Sequence, residues 1–430
     1  VLNNAVHLRN VTIEDGVRGG VSTGNGNVAQ NVITIEDSEI TGWSNQGGSV
    51  AGGYIEAGGN GNTNENSVSI KNTNVSGNVV AGFNQAVGSS DSCNNLVLFE
   101  VDPSSTDPSY TAGGFVAGGI TGMQSEGAAN NNKVTIINTS LVAELNVKGY
   151  VAGGFNDGTG NGDSSGNTVW LEAASVSTSK LTVDNFVVGG YLRSGEGSTN
   201  GNTVVIKNAA VSGSYIAAGL NEGLGQAQNN SVILENAEVS GGVTGGRVTA
   251  TPPTSGGRSL NAANSNIGES SENYSALVQN NTINISGKTS VVGRVVGGES
   301  LAGNSVTEKP AYIQNNTVVI DDGYVEGGIS GGAAVAGNVI GNKVFLNGGT
   351  IKGLVYGGTS AGDVKNNVVY LDGRKGIDVT GAWIYGRGRA STGTNGNTLN
   401  ITNFKGTVQN IGNFDRIDLD LAGLMVREKE

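Results

Sequence analysis

His7 and Cys93 are the only histidine and the only cysteine of the chain, so they bound its nucleophilic and metal chemistry. A serine-type triad would have to recruit His7. It lies between Val6 and Leu8 and is expected to point outward from an alternating strand. One His and one Cys cannot make the usual zinc sets. Cys93, in "SSDSCNN", has no base within sight and reads as a small inert residue. Carboxylates are more plentiful. Paired in a groove they could cleave glycosidic bonds, but Asp321 and Asp322 are adjacent and point opposite ways if they lie on a strand, while Asp37 and Asp372 occupy positions that a turn explains. "DGTGNGD", Asp157 to Asp163, is similar to part of a calcium loop, with Thr at its third position and no Glu at its twelfth. Calcium held by Asp157, Asn161 and Asp163 is therefore a weak candidate beside a flexible Gly/Asn loop, and no other cofactor is expected. Trp43, Trp170 and Trp383 are isolated, and Trp170, between Val169 and Leu171, is expected to face out.

The elements that would carry these residues are repeats. Thirteen copies of N-x-V-x-I start at Asn4, Asn31, Asn66, Asn95, Asn132, Asn167, Asn202, Asn230, Asn281, Asn316, Asn342, Asn367 and Asn397, the shortest spacings running from 25 to 28 residues. The third and fifth residues of each copy are apolar, a period of two that marks one buried strand face. Six residues after the anchor stands Asn, Asp or Gly, as at Asn10, Asp37, Asn72, Asn138, Asn208, Asn236, Asp322, Gly348, Gly373 and Asn403. These types enter the left-handed backbone region cheaply, so a corner is expected there. An apolar residue returns nine after the anchor, for example Ile40, Leu141, Val176 and Val325, and a double glycine follows, as in Gly153-Gly154 and Gly331-Gly332. One such unit cannot bury its own apolar face, whereas stacked units template one another. The chain is thus expected to be all-β, one right-handed parallel β-helix (a β-solenoid) over 1–430 with about thirteen coils, a rod of about 60 Å at roughly 4.8 Å per coil. Extra residues fall mostly between the double glycine and the next anchor. The largest insert, 247–280, is read as a projecting loop between two solenoid blocks, and Asp102–Tyr110 leaves from a different corner.

Composition agrees with many tight corners and a thin core: 73 Gly, 5 Pro and 5% aromatic residues in 430. A net charge of −12 argues against nucleic acid, whose phosphates need basic stripes. No apolar run reaches about 18 residues, so no membrane-spanning helix is expected. The chain starts inside a repeat without a signal peptide and is read as a fragment or processed piece.

The iterated "NNTVVIDDG", the run "VYGGTSAGDVKNNVVYLDGR" and the closing "NIGNFDRIDLDL" (Asn410 to Leu421) resemble the passenger domains of bacterial autotransporters, the type V secretion family. The likeness covers nearly the whole chain and makes 404–430 the exit segment ahead of an outer-membrane barrel outside this sequence. The resemblance implies an exported rod displayed on a Gram-negative-type surface, commonly a virulence-related adhesin for cell adhesion. Its partners would be a host-cell or bacterial surface glycan or protein, or another copy of itself. A polysaccharide-degrading β-helix enzyme and a purely structural stalk are the alternatives. Recognition must use what projects from the coils. Arg247, Arg258, Glu269, Glu272 and Tyr274, on the longest insert, are the expected ligand-binding residues, since Arg and Tyr are frequent interface anchors.

Overall fold

Parallel strands stack coil upon coil in the computed structural model, which describes residues 1–42, 48–105, 107–174, 180–223, 225–249, 276–301, 310–388 and 394–420. The fold is a parallel β-helix, in two compact units, Val1–Ser231 and Val232–Glu430. That division precedes the 247–280 insert.

In the first unit the N-x-V-x-I strands form one sheet in sequence order: Ala5–Arg9, Val32–Glu36, Ser67–Lys71, Leu96–Val101, Lys133–Asn138, Thr168–Ala173 and Thr203–Lys207. Val68, Val97, Val134, Val169 and Val204 sit in register from coil to coil and are fully buried. In the second unit Thr282–Ser286, Thr317–Ile320, Lys343–Leu346, Val368–Asp372 and Thr398–Thr402 repeat the arrangement. Past the corner most coils run through a short strand and then a longer one with the double glycine, such as Val151–Asn156 or Val295–Ser300, whereas Val79–Asn84 and Tyr215–Asn221 carry Ala-Gly there and Thr350–Thr359 and Asp378–Arg387 are each one continuous strand.

The anchor asparagine has a role that its strand position does not reveal. It points into the core and forms a ladder. Asn95 illustrates the full set: its Nδ2 donates to Asn132 Oδ1 at 3.0 Å and to the Thr63 carbonyl at 2.8 Å, while its Oδ1 accepts from the backbone N–H and the Nδ2 of Asn66 at 3.0 and 3.1 Å. Every hydrogen-bonding position of the amide is thereby used, which is what burial of a polar group demands. The ladder runs through Asn31, Asn66, Asn95, Asn132, Asn167, Asn202 and Asn230 in the first unit. In the second it runs through Asn281, Asn316, Asn342, Asn367 and Asn397 and ends on Asp415, whose carboxylate accepts from Asn397.

The double glycine is the other half of this ladder. A Cβ on Gly53 would lie 2.6 Å from Asn66 Nδ2, one on Gly154 2.5 Å from Asn167 Nδ2, and one on Gly298 2.5 Å from Asn316 Nδ2. The second glycine of each pair is thus the notch into which the next anchor fits. The residue before the anchor completes the device. In all thirteen copies it has positive φ, as at Asn131 (56°), Gly166 (68°), Asn280 (55°) and Asn366 (55°), and even Gln30 (59°) and Glu65 (58°) are held there. This turn aims the anchor inward.

The expected corner column holds at Asn10, Asp37, Asn72, Asn208, Asn236 and Asn403, all with φ near 50°. Elsewhere it shifts. Gly323 and Gly349 turn one residue after Asp322 and Gly348, and Gly376 turns after a 3₁₀ turn over Gly373–Lys375. Asn138 braces its corner with hydrogen bonds to the carbonyls of Ala143 and Lys180 instead. Leu141 is 71% exposed rather than inward. The chain detours there, and Leu145 and Val147 of the strand Glu144–Val147 fill the core. Val176 lies outside the described residues.

The stretches between glycine strand and anchor are not free loops. In the first unit they pair with one another: Asn62 N–H donates to Asn27 Oδ1, Asp91 N–H to Asn62 Oδ1, and Ala128 N–H to Asp91 Oδ1. In the second unit parts of them are strands, Leu277–Gln279, Ala311–Gln314, Gly337–Ile340, Val364–Lys365 and Thr394–Asn395, stacked in a further sheet. The segment 404–420 continues the stack as well, Asn410–Gly412 pairing with the glycine strand and Arg416–Asp420 with the anchor strand.

Two stability changes follow from this geometry. Asn167→Leu keeps the branched skeleton but strips the acceptor from the N–H and Nδ2 of Asn132, and should cost about 3 kcal/mol. Asn131→Val puts a β-branched residue in a left-handed turn, and should cost about 1–2 kcal/mol. Chemical denaturation of each variant against the parent measures both, and a neutral Asn167→Leu would contradict the ladder.

Candidate binding surfaces

Two outward features interrupt the regular coils, and both arise from positions beside the inward columns. The first is the outer face of the glycine strand. On this face the residue before the strand and the residue after the glycines come within contact of each other, as Tyr150 and Phe155 do. In the first unit aromatics fill it. Phe115, Tyr150, Phe186 and Tyr215 stack in one row with centroids 4.8, 4.8 and 5.1 Å apart. Phe155 and Tyr191 stack at 4.7 Å in the facing row. The rows meet edge to face, Tyr150 on Phe155 at 5.8 Å and Phe186 on Tyr191 at 6.0 Å, the geometry favoured by ring quadrupoles. Below them Ala117, Ala152, Val188 and Ala217 are completely covered. Burial pushes the Tyr150 and Tyr191 hydroxyls well above the ordinary tyrosine range, and for Tyr191 the hydrogen bond to Glu222 adds to it.

In the second unit the same face is open. The row continues as Arg247, Glu299, Ala333 and Thr359, and small residues leave a groove of about 480 Å³. Ile329, Ala333, Leu354 and Tyr356 line it, with Arg294 and Glu299 at its polar side. Leu301, Val335 and Leu354 are 38%, 48% and 44% exposed. Glu299 is 8% exposed and lies 3.4 Å from Arg247 Nε and 3.9 Å from Arg294 Nη1. Trp383 stands beside Leu354 in the next coil.

The second feature is polar. The described residues of the excursion Asp102–Tyr110, Thr106 lying outside them, flank an open groove of about 680 Å³ along the corners of the three preceding coils of the first unit. Its base is pinned by Asp102, which pairs with Lys71 Nζ at 2.6 Å and accepts from Asn72 Nδ2 and from the Ser104 N–H and hydroxyl. These contacts, Lys71 first, hold the Asp102 carboxyl well below the usual range, and Asp102 in turn raises Lys71.

Of the five residues expected to bind ligand, Arg258, Glu269, Glu272 and Tyr274 lie outside the described residues, as does Trp43. Arg247 belongs to the strand Gly242–Val248 and forms the ion pair beside the open groove. The calcium candidates are used between coils. Asp157 pairs with Arg193 at 3.3 Å, Asp163 accepts the Ser198 N–H at 2.7 Å, and Asn161 is exposed. Burial raises both carboxyls. This segment is knit into the stack, not the free loop expected. Among the described residues no three His, Cys, Asp or Glu side chains cluster as a metal site would require. His7 is exposed. Cys93 is half-buried between the Ala128 carbonyl and the Asn130 N–H, and burial pushes its thiol up to about 11, far from a thiolate. Asp321 accepts from Asn347 and pairs with Lys375, a corner brace. Trp170 faces out, its ring nitrogen donating to Glu172 and its face under Lys207.

In comparison with known proteins, the chain matches no family model, no curated protein and no solved structure.

Because the folded-state carboxyl of Asp102 titrates below its unfolded value, its contribution is full above about pH 5 and is lost progressively as pH falls toward the folded value. The advantage of the parent over Asp102→Asn in urea denaturation should therefore be largest at neutral pH, begin to shrink below about pH 5 and go on shrinking below about pH 3. An advantage that is constant with pH would mean that the ion pair does not form.

Proposed function

We propose that this chain is a surface-displayed binding protein, an adhesin-like passenger of the autotransporter type, exported and exposed outside a Gram-negative-type cell. The open apolar groove at Ala333 carries this reading. Its side chains lie outside the inward columns of the coils, and a concave site of about 480 Å³ is of the size that takes a ligand. An apolar floor with one charged edge is also the usual make-up of a recognition pocket. The repeat likeness to passenger domains supplies the class, and the groove supplies a place for contact with a host or bacterial surface ligand. The inertness of Cys93 and the bracing role of Asp321 favour binding over bond cleavage.

Ala333→Trp tests the reading by filling the groove from an outward position. The purified chain should bind host or bacterial cells saturably, and the variant should lose about tenfold or more in affinity while keeping its circular dichroism and melting point. Full binding by a folded Ala333→Trp variant would remove the groove from the proposal. Depolymerisation of a polysaccharide by the purified chain would replace binding with catalysis.

A further inference from the structure

We propose that the polar groove beneath the Asp102–Tyr110 excursion is a separate binding site for a neutral oligosaccharide that lies along the stacking direction. The argument starts from register. Thr12, Glu39 and Asn74 occupy one column in three successive coils, and Asn10, Asp37 and Asn72 follow directly after paired strands as a second. All six line the groove. Asn72 is spent inside the protein on Asp37 and Asp102, whereas Thr12, Glu39 and Asn74 present a hydroxyl, a carboxylate and an amide about every 4.8 Å to a ligand running parallel to their column. That repeat is close to the advance of one pyranose residue in an extended chain. Few other ligands combine such a period with hydroxyls along both edges.

The lining sets the chemistry. It is made of Asn, Ser, Thr, Asp and Glu with Pro108 and Tyr110, so it offers hydrogen bonds and little apolar area. Carboxylates accept from neighbouring hydroxyls strongly because charge-assisted bonds are the stronger kind. Asp37, Glu39 and Asp107 line the groove and no Lys or Arg does. The nearest cations are already paired, Arg9 at the rim 3.6 Å from Asp37 and Lys71 on Asp102, which leaves Glu39 and Asp107 to set the sign of the groove. Uronates, sialylated chains and phosphorylated glycans would be repelled. The far wall is built to stay in place, since Ser105 bonds the buried Tyr110 hydroxyl at 2.8 Å and Asp102 fixes the base. A preformed wall lowers the cost of ordering on binding.

This site lies in the first unit, whereas the groove at Ala333 lies in the second, so the two can fail separately. The test is titration calorimetry of the full chain with neutral gluco- and galacto-oligosaccharides of one to six residues and with their uronate counterparts. Affinity should rise from one to about three residues, in step with the three coils that form the wall, and the uronates should not bind. Thr12→Val with Glu39→Ala should weaken binding about tenfold or more at unchanged melting temperature, and Ala333→Trp should leave it unaltered. Absence of binding by every neutral oligosaccharide, uronate binding equal to neutral, or full affinity in the folded double variant would each overturn the proposal.

Discussion

A buried primary amide must place two donors and two acceptor positions, and in this fold a side-chain oxygen in the next coil, together with a backbone carbonyl, completes the set. The anchor asparagine meets that demand by handing its Nδ2 to the next coil and receiving two hydrogen bonds from the previous one. The rest of the repeat serves this exchange. A glycine opposite leaves room for the amide, and a left-handed residue before it turns the side chain inward. The apolar pair that follows seals the ladder from water with fully buried Val, Ile, Leu and Phe side chains. A half-satisfied amide in such a place would be worse than an apolar residue, which makes the ladder a device for register as much as for stability.

With the interior fixed in this way, variation is confined to outward positions. The outer face of the glycine strand shows how much that allows. One set of side chains closes it with interlocking aromatic rows, and another leaves it open beside an ion pair. The corner face shows the same freedom, since after the excursion Tyr110 and Ala112 rejoin the inward column opposite Leu145 and Val75.

The strands and their pairing were legible because alternation in Val68 and Ile70 or Val204 and Ile206 has one physical meaning. The anchor column was equally visible, but its role was not, because the partner of Asn95 is Asn132, a whole coil away. The turn before the anchor could have been read from the Asn-Asn and Gly-Asn pairs that precede the strands, a signal obscured at Gln30 and Glu65. Leu141 misled because a local detour moves the inward position to Leu145. The open groove escaped notice although its row, Arg247, Glu299, Ala333 and Thr359, stood out after the double glycine. The facing row sits before the inward valine and carries no motif of its own. Attention to the longest insert placed the site on residues that, Arg247 apart, lie outside the described structure.

The central claim is that the second glycine and the anchor amide act as one unit. A double-mutant cycle on Gly119 and Asn132 measures it directly. Gly119→Ala brings a methyl group within 2.6 Å of Asn132 Nδ2, and the three atoms nearest to it all belong to that amide. It should be costly in the parent and much cheaper beside Asn132→Ala, which removes the obstructing amide, giving a coupling energy above about 1 kcal/mol by chemical denaturation. Strict additivity of the two substitutions would contradict the account.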